Sequence, residues 1–306
     1  MKENYPPNIY GEIMKNKILT IGPVTKDLII TPTEQYYQIG GAVYYQSNTL
    51  EQLKKEHIAI ISVGKDDVKN LDKTLKKQEL ILQEKTLEYT NIYNKKLQRT
   101  QKAKFSQNTI TPNNININLN QIQYAIISPL TPNDIPPETI KHLKNNNIQT
   151  VLVAQGYLRK TDENNNILKR KWTDKEKYLE NTDILCLDEE ETKQSFNINN
   201  TQEETMKKIL NKHNLKQLII TQAEKGSTIY TQEKTYKIPA IKTDKNIDAT
   251  GLGDTYIAAY IAKLEETNNI QESGLFASIT AKEKLQHKGP LKTSKEKIEK
   301  ELDKYR

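Results

Sequence analysis

The sequence predicts an α/β fold: a doubly wound, mostly parallel sheet with helices on both faces and a small β lid. Three observations predict it. Short apolar runs alternate with longer amphipathic stretches along the 306 residues. Two segments instead show polar, half-alternating patterns. A glycine-containing loop, Asp248-Ala249-Thr250-Gly251-Leu252-Gly253-Asp254, runs straight into a helix-like stretch from Thr255 to Leu264.

Each element follows from its residues. Ile18 to Ile21, Ile58 to Val63, Tyr124 to Ser128, Thr150 to Ala154, Ile184 to Leu187 and Leu218 to Thr221 are continuous apolar runs of strand length. Such runs fit strands buried on both faces. Glu138 to Lys144, Asp174 to Leu179 and Glu203 to Lys212 carry helical patterns between them. The alternation predicts parallel strands joined by helical crossovers. Residues 86–93 and 102–106 are polar and partly alternating, with a turn expected near Asn94 to Lys96. Together with 28–39 they form the expected lid, about 28–39 and 86–106. Residues 1–16 read as an appended flexible segment before a single domain over 17–306. The Asn-rich stretches 113–120, 145–147 and 164–166 read as loops or element ends.

Composition excludes several function classes. The net charge of +7 comes from lysine spread along the whole chain, with Arg only at 99, 159, 170 and 306. A nucleic-acid footprint would be clustered and richer in Arg, so no nucleic-acid partner is expected. Cys186, the only cysteine, lies in an apolar run, which suits a small buried hydrophobe. No disulfide framework is possible, and the four histidines form no metal-spaced pair. No apolar run reaches membrane-spanning length and the N-terminus lacks an apolar signal core, so a cytoplasmic protein with no membrane partner is expected.

The 248–254 loop carries the chemistry. Glycines let a backbone approach a ligand, and a helix start leaves N–H groups that bind anions. An acid placed there would repel a phosphate unless it takes a proton from an attacking hydroxyl. The spacing therefore points to phosphoryl transfer to an alcohol, with a helix-capping role for Asp254 as the plainer alternative. There is no G-x-x-x-x-G-K-[ST] loop and no H-R-D or D-F-G motif.

With these pieces in order, the chain resembles the ribokinase-like (PfkB) carbohydrate kinases over most of residues 17–291. Ile247 to Asp254 is similar to that family's D-T-x-G-A-G-D signature. Ile39-Gly40-Gly41-Ala42 is similar to its double-glycine segment, Gly22 to Asp27 to its opening strand and substrate aspartate, and Thr221 to Ser227 to its nucleotide loop. Asp188 to Glu191 stands where the family has N-x-x-E. The segment Val153-Ala154-Gln155-Gly156-Tyr157-Leu158-Arg159 resembles the archaeal sugar-kinase and inositol kinase branch.

The resemblance implies ATP and Mg²⁺ as cofactors and a small sugar or polyol, inositol-like, as the acceptor. It implies Asp254 as general base and the Gly251, Leu252 and Gly253 backbone as the anion hole. Asp27, Gly40, Gly41, Gln155 and Arg159 would face the acceptor, with Arg99 of the lid a further candidate. Thr221, Ala223, Lys225 and Gly226 would take the nucleotide, and Asp188 and Glu191 would orient hydrated Mg²⁺. A monomer or homodimer is expected. Nucleoside phosphorylation and a catalytically degenerate ligand-binding relative are the alternatives. The chain departs from the pattern at Pro23, Val153, Asp188, Ala223 and Leu252. Leu252 keeps its backbone N–H but crowds the acceptor space, and Ala223 is harmless only if its φ is negative.

Overall fold

The computed structural model describes residues 15–71, 78–94, 99–106 and 109–306. Its elements in chain order are β1 (Lys17–Pro23), β2 (Thr25–Ile30), β3 (Gln35–Gly40), α1 (Ala42–Gln52), β4 (His57–Gly64), α2 (Val68–Leu71), β5 (Gln78–Gln83), β6 (Leu87–Tyr93) and β7 (Arg99–Lys104). Then follow β8 (Ile122–Ile127), α3 (Pro137–Asn145), β9 (Gln149–Val153), β10 (Arg159–Thr161), β11 (Ile167–Lys169), α4 (Lys175–Leu179), β12 (Ile184–Asp188), α5 (Glu189–Phe196) and α6 (Glu203–Lys212). The chain closes with β13 (Gln217–Thr221), β14 (Ser227–Tyr230), β15 (Thr235–Ile238), α7 (Leu252–Thr267), α8 (Ile270–Leu285) and α9 (Lys295–Leu302).

The main sheet has nine strands in the order β15-β14-β13-β12-β9-β8-β1-β4-β5. It is parallel from β13 to β5, and β14 and β15 close the other edge antiparallel. Each central strand sends alternate side chains into two cores. On β12, Leu185 and Leu187 join one core with Ile140, Met206 and Leu210 of the α3 and α6 face. Ile184 and Cys186 join the other, against Ile257, Ile261, Phe276 and Ile298 of α7, α8 and α9. Burial on both faces is why these strands read as unbroken apolar runs. All six expected strands and the three expected helices form within a few residues of their expected bounds.

A second sheet has four strands in the order β3-β2-β6-β7. The chain leaves the main sheet at Pro23 and enters the second at Thr25, with Val24 alone between them. The expected segments 28–39 and 86–106 therefore contribute strands at 25–30, 35–40, 87–93 and 99–104. A small cluster of Ala42, Leu87, Tyr89, Ala103 and Leu130 seats this sheet on the main body.

Some sequence expectations fall outside the described residues: most of the appended segment (1–14) and the turn at 95–96. Lys15, expected in a flexible segment, instead donates to the carbonyls of Asn146 at 3.1 Å and Asn147 at 2.9 Å. Three features of the strand pattern were not foreseen. They are the edge strand β5, the β14–β15 hairpin, and the β10–β11 hairpin around the Asn-rich stretch 164–166.

Candidate active site

Strands β1, β8, β9, β12 and β13 end along one edge of the main sheet, at Pro23, Ile127, Val153, Asp188 and Thr221. Crevices outside the carboxyl ends of parallel strands are where α/β sheets bind ligands. The second sheet rises from this edge at β1, and α7 starts there.

The loop before α7 is shaped by side chains as well as glycines. Gly251 caps the helix at φ 71°. A Cβ there would collide with the ring of Tyr45, so the position needs glycine on two counts. Asp248 Oδ1 accepts from the N–H of Thr250 at 2.9 Å, and Oδ2 accepts from the N–H of Gly289 at 2.9 Å. Lys284 Nζ donates to the carbonyl of Asp248 at 2.7 Å and lies 3.3 Å from its Oδ2. Burial works to raise the Asp248 carboxyl, but Lys284 and these N–H groups outweigh it and hold it below the usual range.

Asp254 has the opposite environment. No hydrogen bond to its carboxylate forms among the described residues. Burial pushes it up to about 6, against the pull of Arg159 and Lys284. Gly253 beside it is exposed, and a Cβ there would meet nothing within 4 Å, so the space over the helix start is open. The Leu252 N–H, expected in the anion hole, instead donates to the carbonyl of Ala249 at 3.2 Å, closing the turn. Gly253 and Asp254 therefore supply the helix-start N–H groups that remain without acceptors.

On the acceptor side, Asp27 lies buried on β2. A Cβ at Gly40 would collide with its carboxylate, which explains the first glycine of the pair. Gly41 sits at φ 97° as the N-cap of α1. A polar row crosses the second sheet: Gln101 Nε2 donates to Asn91 Oδ1 at 2.9 Å, and Asn91 Nδ2 donates to Asp27 Oδ2 at 3.5 Å. Arg159 donates to Gln155 Oε1 at 2.6 Å and to the hydroxyl of Tyr89 at 3.4 Å. These two expected acceptor residues thus hold each other and tie Tyr89 of β6 to the segment that follows β9. The side chain of Arg99 lies outside the described residues.

The two halves meet at Tyr45. Its pKa is raised by burial first, then by the charges of Asp248, Asp27 and Asp254. Its hydroxyl is buried with no hydrogen-bond partner among the described residues. The Tyr45 N–H donates to the Gly41 carbonyl at 3.4 Å and its ring lies against Gly251, so this residue stands between the double-glycine segment and the anion loop.

The other expected groups lie farther along the same edge. Thr221 ends β13, level with Asp188 of β12. Gly226 takes φ 97°, and its missing Cβ leaves room for the backbone of Ile238 and Ala240. Ala223 takes φ 49°, so the condition under which it would be harmless fails and the loop carries strain. Asp188 and Glu191 form a capping box on α5: Asp188 Oδ1 accepts from the Glu191 N–H at 2.7 Å, and Glu191 Oε2 accepts from the Asp188 N–H at 3.0 Å. The pair that the resemblance implies for Mg²⁺ thus caps the start of α5 in the fold. Burial and the charge of Asp188 push Glu191 up to about 7. Among the described residues no group of three or more His, Cys, Asp or Glu converges on a metal position.

Sequence reasoning missed Lys284, Tyr45, Tyr89, Asn91 and Gln101. Lys284 had one legible signal: a lysine four residues after Thr280 and eight after Phe276, on a helix face whose other members are apolar or small.

A model of the family described as pfkB family carbohydrate kinase matches residues 9–297. A nucleoside kinase of Methanocaldococcus jannaschii is 40% identical over 72 residues, 24% of either chain. A ribokinase of Lactococcus lactis subsp. lactis is 32% identical over 161 residues, 51% of this chain and 47% of that one. The matched stretches thus span about a quarter and about half the length of these curated relatives. Among solved structures, a pyrophosphate-dependent kinase in the ribokinase family, complexed with a pyrophosphate analog and myo-inositol, superposes with a TM-score of 0.77. The identity is 23%, over 92% of this chain and 99% of that one, which shows the shared fold.

Proposed function

The chain belongs to the pfkB family of carbohydrate kinases, and from that premise we propose that it transfers the γ-phosphoryl group of ATP to a hydroxyl of a small sugar or polyol, an inositol-like ring being favoured. One observation carries the reading. Asp254 is a carboxylate without a hydrogen bond, raised to about 6, one residue from an open anion site at a helix start. A structural acid would be satisfied, as Asp248 is. A general base needs a free lone pair and a pKa near the working pH.

The acceptor hydroxyl oxygen forms a bond to the γ-phosphorus while its proton passes to Asp254. The bond from that phosphorus to the bridging oxygen breaks, and ADP leaves. The N–H groups of Gly253 and Asp254 donate to the non-bridging oxygens, where the charge spreads. Asp27 accepts from acceptor hydroxyls beside Gly40 and Gly41, and the Asn91–Gln101 row fixes the orientation of Asp27. Arg159 and Gln155 close the opposite side. Thr221, Ala223, Lys225 and Gly226 take the nucleotide.

Asp188 and Glu191 each keep one oxygen outside the capping box. That suits an ion held through its own water molecules rather than by direct ligation. Bound there, Mg²⁺ would neutralise phosphate charge. The four-stranded sheet acts as the lid that excludes water from the acceptor. A kinase drawing on ATP works in the cytoplasm, as a monomer or homodimer.

The matching stretch of the archaeal nucleoside kinase supports a second reading, in which the acceptor is a nucleoside. The test is product release with either ATP or inorganic pyrophosphate as donor, against inositols, hexoses, pentoses and nucleosides. Turnover with a polyol or sugar supports the first reading, and turnover with nucleosides alone supports the second. Binding without turnover on any acceptor overturns both in favour of a degenerate relative.

A further inference from the structure

Lys284 is 0% exposed, an unusual state for a lysine. Its ammonium donates to the Asp248 carbonyl at 2.7 Å, lies 3.3 Å from Asp248 Oδ2, and stands 5.5 Å from the centre of the Tyr45 ring. These are a backbone oxygen, a carboxylate oxygen and the negative face of an aromatic ring, three kinds of group that attract a cation. The same Asp248 fixes Thr250, and the same Tyr45 ring packs against Gly251. Lys284 therefore touches both supports of the loop whose far end carries the anion site and Asp254, and its charge reaches Asp254.

We propose that Lys284 is a positioning residue: a cation tethered to α8 that holds the Asp248–Asp254 loop in its anion-binding shape and adds fixed positive charge on its buried side. The lysine touches no reacting atom. Its effect on phosphoryl transfer is to keep the Gly253 and Asp254 N–H groups aimed before substrate arrives, which costs no reorganisation during the reaction. Only this catalytic consequence rests on the kinase reading; the hold on the loop does not.

A tethered cation can be removed and replaced from solution. Lys284→Ala leaves a hole lined by the Asp248 oxygens and the Tyr45 ring. Lys284→Met removes the charge but fills the hole, and its apolar stem keeps the packing where the alanine variant fails to fold. Amide hydrogen exchange is measured across 248–254, with added ammonium or potassium chloride and with choline chloride as the ionic-strength control. In both variants exchange at Thr250 to Asp254 should rise by about tenfold or more while the rest of α7 is unchanged. Ammonium or potassium should restore protection in the alanine variant and not in the methionine variant. Where an acceptor has been found, kcat should fall by about 10²-fold with little change in the acceptor KM, and recover with the same salts. A loop as protected in both variants as in the unaltered protein overturns the proposal. So does protection in the alanine variant that choline restores as well as ammonium does. If the unaltered protein phosphorylates nothing, the kinase reading fails while the exchange measurement still decides the role of Lys284.

Discussion

Two glycine-bearing loops stand at the carboxyl edge of the main sheet, and they are held in different ways. The loop from Asp248 to Asp254 is pinned by side chains: Asp248 takes two N–H groups and the buried ammonium of Lys284, and Tyr45 packs on Gly251. The loop from Thr221 to Gly226 is held mainly by its own backbone, with a side-chain tether from the Thr228 hydroxyl to Gln222 Oε1 at 3.0 Å. Gln222 N–H donates to the Gly226 carbonyl at 2.8 Å, and Gly226 N–H to the Ala223 carbonyl at 3.0 Å. The first loop carries an acid without a hydrogen bond beside a charged support. The second carries an alanine in the left-handed region. A change of charge at the first loop acts on chemistry and stability together, whereas at Ala223 of the second the backbone conformation dominates.

The sharpest test of this contrast lies within the first loop. Asp254→Asn keeps the shape and removes the proton acceptor, so kcat should fall by about 10²–10⁴-fold in steady-state assays with the acceptor found. The same change removes an unpaired, desolvated charge, so the variant should melt at a higher temperature near neutral pH. Undiminished turnover would remove Asp254 from the mechanism.

Asp248→Asn should act in the opposite direction on stability. It breaks a pair with a fully buried lysine and leaves that charge uncompensated. Breaking such a pair typically costs 3–5 kcal/mol, which partial exposure of Asp248 reduces to about 2–3 kcal/mol. Urea unfolding should show a lower midpoint at unchanged slope. Two aspartates six residues apart would then move stability in opposite directions, and a common sign would break the comparison.

pH separates the same two acids. Asp254 is raised from 3.8 in the unfolded chain to about 6 in the fold. Between those values the folded state holds the extra proton, so stability falls as pH rises through the window and is level above it. Asp254→Asn should remove that part of the fall, which is read from melting temperatures of both proteins at pH 4 and pH 7. Activity should rise with pH up to about 6 and then level, because the base works ionised. Asp248, held low, gives the reverse: its contribution is present at neutral pH and is lost on acidification below the ordinary aspartate range.

Much of this was legible in the sequence, for physical reasons. Strands buried on both faces must be apolar throughout, so β1, β4, β8, β9, β12 and β13 announced themselves. The edge strand β5 and the hairpin β14–β15 are short and partly polar, and nothing in their periodicity separates them from loops. The anion loop was legible because glycine spacing and a following helix are local signals. Its supports were not. Lys284 lies thirty-six residues from Asp248: its place on an apolar helix face signals burial, but nothing local says which loop it holds. Leu252 was assigned a free N–H that the turn to Ala249 consumes, since hydrogen-bond partners within a turn depend on its type. Asp188 and Glu191 carry the local pattern of a capping box, acid and glutamate three apart before a helix, but the resemblance assigned them to Mg²⁺ and the box itself was not named.

The smallest effect belongs to the second loop. Ala223 at φ 49° occupies the left-handed region, which disfavours any residue with a Cβ by about 1–2 kcal/mol. Glycine there relieves the strain but returns freedom to the unfolded chain, so the two terms partly cancel. Ala223→Gly should therefore stabilise by about 1 kcal/mol or less, a rise of about 2 °C in melting temperature. Because Ala223 itself carries no charge and the change is one of backbone freedom, the gain should be the same at every pH and independent of any substitution at Asp248 or Asp254. A double-mutant cycle with Asp254→Asn checks that independence. A coupling well above the error of the cycle would mean that the two loops share a support, and the contrast between them would fail. Additivity, with the small gain intact, would confine the strain at Ala223 to the backbone that holds it.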